Sequence, residues 1–80
     1  MNHLNLLPAL NDLRHFLGHQ DGTSLLIEVF ETYQEDAIRG ELKPERLRGF
    51  AQALYATGLL QVEDFDDVDV AIWKAEEAAA

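Results

Sequence analysis

Eighty residues, 48% of them apolar, suffice for one small core and leave no room for a second; at this length only about 60–65% of the unfolded surface becomes buried, so stability is modest. Six Lys and Arg against fifteen Asp and Glu give a formal net charge of −9, which repels phosphate backbones and anionic lipid headgroups and attracts basic proteins. Cysteine is absent, which excludes a disulfide framework and thiolate metal sites.

The start, MNHLNLLPAL, lacks the basic n-region of a signal peptide. No apolar run approaches the roughly 18 residues that a membrane span requires. A cytoplasmic location is therefore expected. The first helix is predicted over 5–17, with Leu6, Ala9, Leu10, Leu13, Phe16 and Leu17 on one arc. Asn5 is its expected N-cap, Pro8 lies in the first turn where no intrahelical N–H is lost, and Gly18 is the expected stop.

After HQDGT, where Asp21 or Thr23 can cap, the second helix is predicted over 23–39. It divides into an apolar side (Leu26, Val29, Phe30, Tyr33, Ala37, with Ile27 and Ile38 at the shoulder) and an acidic stripe of Glu28, Glu31 and Glu35 at i, i+3, i+7. The apolar arc covers about half the circumference, wider than the ~100° of a surface helix, which predicts that this is the central helix of a bundle. Gly40 is its expected end.

Pro44 and Glu45 mark the start of a third helix over 44–57, with Leu47, Phe50, Ala51, Leu54 and Tyr55 on its buried face. Gly49 is either a mid-helix weakness or a point of close helix approach. Gly58–Leu59 reads as a glycine C′ with a hydrophobic C″. Residues 64–77 form a fourth helix in this reading, with Phe65, Val68, Ala71, Ile72 and Ala75 inward. Val68, Val70 and Ile72 also alternate as a strand would, but Asp64 at a cap position with Asp66 and Asp67 in the first turn decides for helix.

On such a fourth helix Trp73 projects between Asp66 and Asp69, with Val70 on the same outer side. An exposed tryptophan with an aliphatic neighbour and an acidic rim has the make-up of a partner hot spot; the other placement folds the indole over the core edge. If the carboxylates here adjoin Glu28, Glu31 and Glu35, they form one negative surface suited to a basic groove. Asp12, His15 and His19 have metal-ligand spacing but no fourth ligand, and EDFDDVD lacks the glycine and distal glutamate of an EF-hand loop. A helix-turn-helix over 47–73 would turn Asp64, Asp66, Asp67 and Asp69 toward phosphates, with only Lys43, Arg46 and Arg48 as a basic spot. No phosphate loop, Cys nucleophile or Ser/His/Asp arrangement of recognisable spacing occurs.

GTSLLIEVFETYQEDA, in an acidic bundle of this size, resembles the serine region of acyl and peptidyl carrier proteins. Ser24–Leu25 match that family's DSL-like motif, whose serine opens the second helix and bears phosphopantetheine. Thr23 stands where the family has Asp or His, and a short connection replaces the family's long loop. The resemblance implies, as the alternative function, a carrier modified at Ser24.

The sequence thus predicts an all-α protein, a small four-helix bundle forming a single domain over 1–80. The expected function is an acidic helical protein–protein interaction module, comparable in composition to the DNA-mimicking or anti-CRISPR inhibitors of phages and mobile elements. Its expected surface is Glu28, Glu31, Glu35, Asp66, Asp69, Val70 and Trp73, directed at a partner with a basic surface. No catalytic role, cofactor, metal, membrane or direct nucleic-acid contact is expected. Homo-oligomerisation is compatible with so small a core.

Overall fold

The computed structural model describes residues 4–17 and 24–79, and of residues 24–27 the backbone alone. Among the described residues the chain forms four α-helices and no strand: α1 (Leu7–Phe16), α2 (Ser24–Ile38), α3 (Pro44–Ala56) and α4 (Val62–Ala79). Together they make a small four-helix bundle.

Helix α1 starts one residue later than an Asn5 cap implies. Leu6 occupies the cap position, yet Asn5 still contributes: its side-chain oxygen accepts the Leu7 N–H at 3.1 Å, satisfying one orphan donor of the first turn. Ala9, Leu10 and Leu13 are buried from α1, flanked by buried Leu6 and Leu17. The expected stop at Gly18 and caps at Asp21 or Thr23 lie outside the described residues.

Helices α2 and α3 end in the same way. Gly40 and Gly58 adopt φ of 74° and 82°, the left-handed region that a Cβ disfavours. Gly40 N–H donates to the Ala37 carbonyl and Glu41 N–H to Asp36; Gly58 N–H donates to Tyr55 and Leu59 N–H to Leu54. Both are Schellman terminations, which satisfy carbonyls left open at a helix end. In each, the residue two after the glycine turns inward: Leu42 and Leu60 are buried. The apolar contact expected at Leu59 falls to Leu60, and Leu59 stays exposed.

Lys43 caps α3 in an extended conformation and Pro44 takes its first position, where a missing N–H costs nothing. Helix α4 begins at Val62, two residues before the expected Asp64 cap, and Glu63 and Asp64 fall in its first turn. The carboxylates still face the positive end of the helix dipole.

The bundle is closed around a cycle. Helix α1 packs on α4 and on α2, and α3 packs on α4. Helix α2 meets α3 through edge-on rings, Phe30 on Phe50 at 5.4 Å and Tyr33 on Phe50 at 5.0 Å, an arrangement favoured by ring quadrupoles. Helices α2 and α4 therefore stand at opposite corners. Among the described side chains, the most deeply buried large ones, Leu6, Leu13, Leu47, Val68 and Ile72, come from α1 with its lead-in, α3 and α4. Leu26 and Ile27, on which the expectation of a central α2 partly rests, lie outside the described side chains. Among the described side chains of α2 only Phe30 is fully buried; Tyr33 and Ala37 are half-buried, and Ile38 is 66% exposed. Tyr55, expected inside, is exposed but stacks on Phe65 at 5.2 Å.

Candidate functional site

Helix α4 has two faces of different burial. Val68 and Ile72 point inward and are fully buried. Outward, Val62 and Val70 are each 47% exposed and Trp73 is 55% exposed. At 100° per residue, Val62, Asp66, Asp69, Val70, Trp73 and Glu77 fall within an arc of about 100°, and at 1.5 Å per residue this stripe is about 22 Å long. Among the described residues α1 and α3 pack on α4 from its buried side, and the arc is touched only at its Asp69 edge, by Arg48 of α3. Of the two placements open to Trp73, the structure adopts the outer one.

The seam beside this stripe is held by Arg48 of α3. Its Nε donates to Asp69 at 3.3 Å, and an Nη donates to Glu76. The hydrogen bond to Glu76 is the main cause of an upward shift in the Arg48 pKa; desolvation opposes it, and the Glu76 and Asp69 charges and the Asp69 hydrogen bond add to it. Asp69, expected to await a partner, already has one within the chain. Asp66 and Glu77 make no ion pair among the described residues. Reversing Asp69 would set two cations together at the seam, so Asp66 and Glu77 are the cleaner probes of the outer face.

The acidic residues of α2 lie elsewhere. Glu28, Glu31 and Glu35 are exposed, and Glu35 makes a long pair with Arg39 at 3.9 Å. Asp66, Asp69, Val70 and Trp73 share one face of α4, whereas Glu28, Glu31 and Glu35 lie on α2, which does not pack extensively on α4 among the described residues. The basic spot is largely cancelled: Arg46 pairs with Asp36 at 3.3 Å, Arg48 is held as above, and Lys43 remains exposed.

Val62, Glu77 and Arg48 were missing from the sequence-derived surface. The first two lie eleven residues before and four after Trp73, a spacing that returns to the same helical face; a helix start set at 64 hid Val62. Ser24 is the first residue of α2, and the connection before it lies outside the described residues. Of the Asp12, His15 and His19 set, His19 likewise lies outside them. Among the described residues no helix is long and apolar enough to cross a membrane. No protein-family model, curated protein or solved structure matches the chain.

Proposed function

We propose that this protein is a non-catalytic interaction module that docks a basic protein surface on the outer face of α4. The observation that carries the reading is Trp73: a bundle with so small a core leaves its largest apolar side chain outside, beside Val70, on a helix rich in carboxylates. A desolvating aromatic inside a polar rim is how hot spots are built, and surrounding charge steers encounter. The α2 carboxylates are not needed by this reading. A small inhibitor acting in a bacterial or phage-infected cytoplasm fits the same chemistry.

The test is affinity enrichment with wild-type protein beside two folded variants, Trp73→Ala and Asp66→Lys/Glu77→Lys. A basic protein retained by wild type and lost by both variants supports the reading. With that protein in hand, the charge-reversed variant is expected to associate more slowly and with a flatter salt response. Unchanged capture and kinetics in both variants would place the interface elsewhere.

The start of α2 at Ser24 favours a second reading, a carrier modified at that serine. Co-expression with a phosphopantetheinyl transferase and intact-mass measurement separates the two: an adduct lost in Ser24→Ala supports the carrier, and an unmodified mass contradicts it.

A further inference from the structure

Among the described residues, one arginine is held on a helix surface by an aromatic ring and a carboxylate together. On α2, Tyr33 and Asp36 stand one turn apart. Arg46 of α3 places its guanidinium carbon 4.9 Å from the centre of the Tyr33 ring and reaches Asp36 Oδ2 at 3.3 Å. The ring face attracts the cation through its quadrupole, and the carboxylate accepts its N–H groups. A planar guanidinium can serve both at once; a compact ammonium cannot stack.

The outer face of α4 repeats these ingredients with a stronger π donor. Trp73 is exposed, Glu77 stands one turn after it, and Asp66 lies two turns before it on the same arc. Among the described residues no cation stacks on Trp73, and neither carboxylate is paired. Glu63 and Asp67 add negative charge on this side against the single ammonium of Lys74. That balance repels a second copy presenting the same face and attracts a cationic partner.

We propose that the outer face of α4 selects arginine: a basic partner protein lays a guanidinium on the Trp73 indole, donates to Glu77 or Asp66, and sets an aliphatic side chain against Val70. This rests on the docking function proposed above and narrows it from positive charge to guanidinium.

The probes are two dye-labelled amphipathic peptides of identical sequence and charge, one with arginine and one with lysine at every basic position. Binding to the full chain is read by anisotropy, and the single tryptophan reports contact by its own emission. The arginine peptide is expected to bind about fivefold tighter and to shift Trp73 emission saturably. Trp73→Ala removes the preference. Glu77→Gln or Asp66→Asn reduces it, whichever carboxylate accepts the guanidinium, and this pair carries the test if Trp73→Ala does not fold. Equal affinity for the two peptides overturns arginine selectivity and leaves docking of a basic partner standing. Binding of neither peptide overturns both. A preference that survives all three substitutions puts the guanidinium elsewhere and overturns the site.

Discussion

At Arg48 one side chain joins α3 to α4, the helix that carries the candidate surface. Its raised pKa fixes the sign of its linkage to pH. A cation stabilised in the folded state contributes fully below its ordinary pKa and loses that contribution only as pH climbs through the raised value. For a guanidinium that window lies far above neutrality, so on the arginine side salt, not pH, is the lever. The Arg48, Asp69 and Glu76 side chains are each a third or more exposed, which limits the cluster to about 1 kcal/mol. Arg48→Gln is expected to lower the unfolding free energy by about that amount in low salt and by less in high salt. An equal loss at both would show that packing of the aliphatic stem, not charge, is what Arg48 supplies. Trp73 reports on the same field from outside. Relative to a free uncharged tryptophan derivative, its fluorescence should be quenched more by caesium and less by iodide, with both departures shrinking as an inert salt is added. A caesium-to-iodide quenching ratio equal to that of the free derivative would mean that the carboxylates exert no field at the indole.

At the scale of the element, glycines act in opposite senses according to backbone. Gly58 holds φ of 82° at the end of α3, so Gly58→Ala is expected to destabilise by about 1 kcal/mol. Gly49 is helical and exposed, and a Cβ built there meets nothing within 4 Å. It is therefore a propensity weakness and not a point of close approach, and Gly49→Ala should stabilise by about 0.5–1 kcal/mol. Urea unfolding of the two variants checks both signs; destabilisation by Gly49→Ala would reveal a contact that the helix geometry denies. The helices themselves were legible in the sequence, because 3.6-residue periodicity agrees with glycine or proline punctuation at α2 and α3, and with acidic residues in the first turn at α4. The inward turns of Leu42 and Leu60 were not, since periodicity is read within helices and these leucines follow them. The recurring Gly-X-Leu in Gly40-Glu41-Leu42 and Gly58-Leu59-Leu60 was the available signal. The expected start of α4 differs from the observed one because Asp64 is a good cap residue wherever it stands, while the helix begins at Val62 and places Asp64 in its first turn.

Across the whole molecule, tertiary neighbours decide burial more than the breadth of an apolar arc does. Over its described side chains α2 meets α3 through an aromatic seam, with its far end, Ile38, in solvent. The Arg48 cluster was illegible for a related reason: its partners are 21 and 28 residues away, beyond any local pattern. The Trp73–Val70 face was legible because its spacing is local. Phe30 and Trp73 now stand as opposites, one 4% exposed inside the bundle and the other 55% exposed outside it. Phe30→Ala is expected to remove about 3–5 kcal/mol, a large share of the stability of a small domain; an unchanged unfolding midpoint would mean that Phe30 is not core. The docking account requires the reverse of Trp73, a side chain that the fold does not need. Guanidinium unfolding of Trp73→Ala, followed by far-ultraviolet circular dichroism, tests this most directly. The account predicts a helical protein whose stability lies within about 1 kcal/mol of wild type. A loss of about 3–5 kcal/mol, the cost of truncating a buried aromatic, would make Trp73 part of the core and contradict the outer face of α4 as a surface kept for a partner.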